Sequence, residues 1–197
     1  MSKGDETRHA ILTEATAVAA KVGLTGMTIG QLASHTGMSK SGLYAHFASK
    51  EALQIEILRH TRERFVDQVV RPALQAPRGV TRLRVLFDSW VAWSESSADG
   101  GCLFVAACSE LDDQPGPVRD ALVRDEHDWL EMISTIAGTA VSEGEFRDDL
   151  DLEQFAYEAH ALTLAHQHAS RLLHDPQALD RVHRAFDSLV THAGQPA

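Results

Sequence analysis

Between Met27 and Phe47 the chain reads Met-Thr-Ile-Gly-Gln-Leu-Ala-Ser-His-Thr-Gly-Met-Ser-Lys-Ser-Gly-Leu-Tyr-Ala-His-Phe, with two sets of helix-end signals packed close together. Thr28 suits an N-cap, Gln31 is its capping-box partner, and Met27 and Leu32 hold the staple positions on either side. Gly37 suits a stop. Ser39 then caps a second helix, with Met38 and Leu43 again at staple spacing. Two short capped helices around a turn of a few residues predict a helix-turn-helix, whose second member lies in the DNA major groove with its N-terminal residues on base edges.

Here those N-terminal residues are Lys40, Ser41 and Gly42. Leu43 and Phe47, four apart, face inward with Ile29 and Leu32, which turns Lys40, Ser41, Tyr44 and His46 outward. Lys40 and Lys50 each stand first in a helix, where the positive end of the macrodipole disfavours a cation by a few tenths of a kcal/mol. A DNA phosphate at each helix start reverses the sign, because N–H groups, dipole and lysine then act on one anion. The candidate DNA contacts are Thr28, Ser39, Lys40, Ser41, Gly42, Tyr44, His46 and Lys50.

Helical periodicity continues almost from end to end, with no useful stretch of two-residue alternation, so the fold class is all-α with about nine helices. Ile11, Ala15, Val18, Ala19 and Val22 form a first stripe that Gly23 ends, and Leu24 to Gly26 is a turn. A long helix is predicted from Ser49 through Leu53, Ile57, Thr61, Phe65 and Val69 to Arg71, where Pro72 should stop it. Leu83, Leu86, Phe87, Trp90 and Val91 mark the next, closed before Gly100 and Gly101, and a short apolar helix runs from Cys102 to Leu111. Pro117 opens a long element reaching Val141, and Ser142 to Leu150 is a polar loop. Asp151 with Gln154 suggests a capping box for a helix reaching Leu173, and Asp175-Pro176 opens a last one. We divide the chain into a helix-turn-helix DNA-binding domain, 1–48, and a C-terminal helical domain, 49–197.

The net charge of −10 opposes DNA binding at first sight, since phosphate neutralisation supplies most non-specific affinity. Its distribution relieves the conflict: residues 1–60 carry six Lys and Arg against five Asp and Glu, and residues 61–197 twelve against twenty-three. A near-neutral region approaches the polyanion and an acidic one is held off it. No apolar run approaches the length of a membrane span and no signal segment opens the sequence, so a cytoplasmic location with no membrane partner is expected. Cys102 and Cys108 lie about 240° apart on one helix and read as two small buried thiols.

From about residue 7 to 60 the sequence closely resembles the tetracycline repressor (TetR) family. The resemblance rests on Thr28-Ile29-x-x-Leu32-Ala33 and on Gly37-Met38-Ser39-Lys40-Ser41-Gly42-Leu43-Tyr44-x-His46-Phe47-x-Ser49-Lys50-Glu51-x-Leu53. Ala45 departs from the larger polar or aromatic residue that many members carry. The resemblance implies binding to double-stranded operator DNA and a homodimer in which helices 8 and 9 form a four-helix bundle. It further implies a C-terminal pocket for a small-molecule inducer, with release from the operator on ligand binding and the overall role of a repressor.

In the C-terminal region Phe87, Trp90, Trp93, Phe104, Trp129, Met132 and His160 are the pool for a ligand site, with Phe155 and Tyr157 behind them. Apolar stripes at helical spacing are equally explained as plain core. Tyr157, His160, Leu164, His168 and Arg171 share one helical face, but the histidines lack a second pair of ligands and no metal is expected. The acidic residues Glu110, Asp112, Asp113, Asp120, Asp125, Glu126, Asp128 and Glu131 read as a solvated face, with a cationic inducer the sharper alternative. No Gly-rich phosphate loop, nucleophile elbow or metal-protease helix is present, so neither catalysis nor a cofactor is expected. A DNA-binding regulator without any ligand stays open beside the inducer-responsive one.

Overall fold

Helix ends in this protein sit largely where caps and breakers place them. The computed structural model describes residues 3–96 and 101–194, and among these the only β pairing is an isolated antiparallel bridge between Phe146 and Gly194. Nine helical rods follow one another: α1 (Lys3–Val22), α2 (Ile29–Thr36), α3 (Lys40–His46), α4 (Lys50–Phe65, prolonged by a π turn Val66–Val70 and by Arg71–Gln75), α5 (Val80–Ser96), α6 (Leu103–Leu111), α7 (Pro117–Ser142), α8 (Leu152–Gln167, prolonged by a π turn His168–Leu172) and α9 (Ala178–Ala193). The all-α expectation and the number of helices hold among the described residues. Gly100, one of the two glycines read as closing α5, lies outside them, and Gly101 has φ 78°.

The chain divides into two compact units, Met1–Arg64 with Ser97–Arg124 and Phe65–Ser96 with Asp125–Ala197. In the first, Ile11, Ala15 and Ala19 of α1 pack with Leu32 of α2, Leu43 and Phe47 at α3, Leu53 and Ile57 of α4, and Leu103, Ala107 and Leu111 of α6. Val22, read as part of the first stripe, is instead 45% exposed. The core of the second unit draws on Leu83, Leu86, Phe87 and Trp90 of α5, Ile133, Ile136 and Ala140 of α7, Phe155 and Ala159 of α8, and Val182 and Phe186 of α9.

Three boundaries differ from the sequence expectation. The fourth helix does not stop at Arg71. In the π turn the Arg71 N–H donates to the Val66 carbonyl, five residues back, which resets the hydrogen-bond register so that Pro72 falls in the first turn of the resumed helix, where its missing N–H costs least. At α8 the box is half made: Asp151 Oδ1 accepts from Gln154 N–H at 2.9 Å, while the Gln154 amide donates onward to Glu158. The last helix begins at Ala178, two residues after Pro176, and Asp175 instead accepts from the Gln177 N–H.

The polar loop 142–150 hides an anchor. Phe146 is fully buried, its ring centroid 5.4 Å from that of Phe155, and Arg147 N–H donates to the Ala193 carbonyl at 2.9 Å. The loop is thereby fixed to the end of α9. Replacing Phe146 by Ala removes a whole ring from a closed site, so chemical denaturation should show a loss of about 3–5 kcal/mol; a loss below about 1 kcal/mol would mean that the loop is not anchored by this ring.

Candidate nucleic-acid interface

The reading head is built from local rules. Thr28 is extended (φ −111°, ψ 150°); its Oγ1 accepts from Gln31 N–H at 3.1 Å and the Gln31 side chain accepts from Thr28 N–H at 2.9 Å, a complete capping box. Gly37 ends α2 in the left-handed conformation, φ 66°, its N–H on the Ala33 carbonyl. Ser39 Oγ accepts from Gly42 N–H at 3.0 Å and stands 3.0 Å from Ser41 Oγ. Ser49 Oγ accepts from Ala52 N–H and starts α4 in the same way. Leu43 and Phe47 are buried beneath α3.

Ser39, Lys40, Ser41 and Tyr44 are consequently exposed, Tyr44 by 51%, and Ala45 with them; Gly42 and His46 are half-buried, and Thr28 is exposed at the start of α2. The Lys40 side chain lies back across α2: a methyl group added at Gly30 would stand 3.4 Å from its Cε and 3.7 Å from its Nζ. Thr28, Lys40 and the first turn of α3 thus form one surface. Lys50 differs from its neighbours. It is half-buried, and its ammonium donates to the Thr25 carbonyl at 2.7 Å, so its first partner is protein and two N–H groups remain for a phosphate.

Behind the head, Arg8 reaches from α1 to Glu56 of α4 at 2.9 Å while its guanidinium stands 5.0 Å over the Phe47 ring. Burial pushes the Glu56 carboxyl up, but the hydrogen bonds from Arg8 and Arg59 outweigh it and hold the group below its ordinary range. Next to this brace His60 of α4 is buried edge to face with His9, 5.0 Å between ring centroids, and its Nε2 has no hydrogen-bond partner among the described residues.

One acidic residue read as solvated is not. Glu110, on α6, accepts from the N–H groups of Leu24 and Thr25 and from the Thr25 hydroxyl, and Gln54 donates to the Leu24 carbonyl at 2.8 Å. Sequence reasoning missed this role because the partners lie 86 and 85 residues apart. Glu126 is likewise engaged, 3.6 Å from His160 Nε2.

The aromatic pool divides between the units. Phe104 packs against the core of the first. In the second, Phe87 stacks on Phe186 at 3.8 Å, Trp90 meets the His166 ring edge at 5.9 Å, and Trp93 and Trp129 stand edge to face with Phe65. Met132 and His160 are half-buried, and burial holds the His160 imidazole below its ordinary range. A cavity among Leu83, Leu86, Phe87, Trp129, Ile133, Ala159, Thr163 and Phe186 measures about 10 Å³, room for about one water. Tyr157 points away from this core and is 67% exposed. His166 is buried, with Nε2 2.9 Å from Glu95 Oε1. No group of three or more metal-ligating side chains occurs among the described residues.

Comparison with known proteins places this architecture. Residues 11–57 match the family model of bacterial regulatory proteins of the tetR family, and residues 79–186 that of the tetracyclin repressor-like C-terminal domain. The chain belongs to the tetracycline repressor family of transcriptional regulators. No curated protein sequence matches it. Among solved structures it is similar to a TetR transcriptional regulator from Chloroflexus aurantiacus (25% identity, TM-score 0.86, 98% of this chain and 96% of that one). A TetR-family regulator from Cytophaga hutchinsonii gives 21%, 0.86, 100% and 99%. A regulator from Saccharomonospora viridis, solved in complex with choline, gives 22%, 0.82, 98% and 100%.

The buried histidine behind the head makes stability depend on pH. Burial, then His9 and Arg64, hold the His60 imidazole below its ordinary range. A depressed folded value means that its contribution is complete above about pH 6.5 and is lost as pH falls through that lower value. Melting temperatures should decrease as pH is lowered below about 6.5, and His60→Leu should make that decrease shallower, the part left belonging to His160, which burial also holds low; parallel profiles for wild type and variant would exclude His60 as a cause.

Proposed function

We propose that this protein is a ligand-responsive repressor that binds double-stranded operator DNA as a homodimer in the cytoplasm and is released by a small-molecule inducer. It acts by binding and not by catalysis. The observation that carries the DNA-reading part is the exposed row Ser39, Lys40, Ser41 and Tyr44 on a helix whose entry is fixed by caps and whose opposite side is buried. Thr28, Gly42 and His46 complete the contact set within the DNA-binding domain, residues 1–48, and Lys50 adds to it from the first position of α4. Among the described residues no helix is long and apolar enough to cross a membrane.

A homodimer through α8 and α9 is supported by the surface of those helices. Tyr157, Leu164 and Leu179 are exposed there, beside a groove of about 360 Å³ lined by Tyr157, Ala161, Leu162, Ala185 and Leu189 among others. Apolar side chains in a row on two adjacent helices suit a second copy related by a two-fold axis. An inducer site among Phe87, Trp90, Trp93, Trp129, Met132 and His160 is supported by the aromatic character of the second unit, to which all six belong; Phe104, packed against the core of the first unit, is not part of it. The cavity of about 10 Å³ beside Phe87 and Trp129 takes a ligand only when its side chains part. The structure solved with choline is a precedent, in that protein, for a small-molecule complex in this fold.

The DNA reading is tested by selecting a duplex from a random library with the wild-type protein. Lys40→Ala should weaken binding and reduce the salt slope by about one phosphate contact, and Tyr44→Ala should weaken it about three- to tenfold. Unchanged affinities at several salt concentrations would sink the reading. In a run-off assay with the selected site overlapping a promoter, transcript should fall as protein is added; a rise would show activation instead.

The dimer is tested by Ala185→Arg with Leu189→Arg, which puts two charges into the groove. Sedimentation should show a folded monomer and the selected two-half-site duplex should lose at least about tenfold in affinity; a double variant that stays dimeric would move the interface elsewhere.

A further inference from the structure

In the turn joining α1 to α2, the backbone N–H and C=O groups of Leu24 and Thr25 are all bonded by side chains from other helices. Glu110 Oε1 accepts from Leu24 N–H at 3.1 Å, and Oε2 from Thr25 N–H at 2.7 Å and the Thr25 hydroxyl at 2.8 Å. The carbonyls of the same two residues accept from Gln54 Nε2 at 2.8 Å and Lys50 Nζ at 2.7 Å. Gly23, at φ 84°, makes room for the carboxylate, since a Cβ there would stand 2.7 Å from Oε1. Three residues beyond Thr25 comes Thr28, the cap of α2.

We infer that Glu110 is a positioning residue for DNA recognition: without touching DNA, it fixes the turn at Leu24 and Thr25 and so the direction in which α2 and α3 leave α1. The inference rests on the DNA-reading function proposed above. Two neighbouring N–H donors in a half-buried turn need an acceptor with two oxygens, and the carboxylate supplies both from a single side chain. Remove one oxygen and one donor is left facing no acceptor, so the turn relaxes and α2 tilts with it. Base-edge contacts depend on the exact placement of α3, whereas phosphate contacts tolerate small shifts because they are largely charge attraction. Loss of positioning therefore weakens specific binding more than non-specific binding. A general loss of folded protein lowers both in proportion.

The test uses the full-length protein, the duplex selected by the wild type and a scrambled duplex of equal length. Glu110→Gln preserves size but turns an amide toward the Leu24 or Thr25 N–H; Thr25→Val removes only the hydroxyl donor. For Glu110→Gln the expected result is about a tenfold loss on the selected duplex and less than about twofold on the scrambled one, with the salt slope unchanged because no phosphate-binding cation is removed. Thr25→Val should show the same pattern at about threefold. Amide exchange at Leu24 and Thr25 should quicken in Glu110→Gln while that of Ile57 in the core does not. Retention of selected-duplex affinity within about twofold by both variants, or equal losses on both duplexes, would overturn the positioning role. Failure of the wild type to select any duplex would instead sink the DNA reading itself, a result visible before either variant is made.

Discussion

A carboxylate set against the backbone of a turn holds the first unit in order. Leu24 is buried in the core of the first unit and Thr25 beside it is half-buried, so the N–H and C=O groups of these two residues have little access to water. Most connections escape this difficulty by running over the surface. Here Glu110, Gln54 and Lys50 act in place of water, and the cost of half-burying a carboxylate is offset by three hydrogen bonds to it, each stronger than a neutral one. The placement of α2 and α3 follows from that turn, because only Thr28 separates Met27 from the first residue of α2.

The second unit solves a similar problem with similar chemistry. Gly79, at φ 85°, lies beside the Glu145 carboxylate, which accepts from Val80 N–H at 2.6 Å at the start of α5, while Gly79 N–H donates to Thr139 Oγ1. A side chain at Gly79 would collide with that carboxylate, a Cβ falling 1.8 Å from Oε2. The residue after Glu145 is the buried Phe146. A short segment thus caps one helix with its carboxylate and inserts its next side chain into the core. In both units a left-handed glycine and a carboxylate remote in sequence together make one helix junction.

What could be read from the sequence divides along the distance between partners. The caps at Thr28, Ser39 and Ser49 were legible because donor and acceptor lie three residues apart, and the inward set Leu32, Leu43 and Phe47 because helical spacing decides it. The roles of Glu110 and Glu145 were not, since the backbone groups they meet stand some 65 to 86 residues earlier. Charge patterning along the chain sees an acid and infers solvent. Pro72 misled for a different reason: the rule that proline ends a helix assumes an unbroken four-residue register, and the π turn at Val66–Val70 changes the register first. Phe146 was lost in a polar loop, and His166 among seven histidines after residue 120, because burial of a single side chain leaves no period to detect.

Electrostatics ties the turn to recognition. The exposed row of the reading head holds one lysine beside hydroxyls and a tyrosine, and Lys50 already gives one bond to Thr25. With so few cations, charge attraction contributes little, and the acidic remainder of a chain of net charge −10 opposes loose contact with any duplex. Affinity must then come from directional hydrogen bonds, which fade within a fraction of an ångström and a few tens of degrees of their best geometry. A strongly basic head tolerates a loose mount because its attraction is long-ranged, but a nearly neutral one does not. The weak charge of the reading face and the tight bonding of its supporting turn are therefore two sides of one requirement: the fewer phosphates a head can hold, the more rigidly its base-reading side chains must be presented.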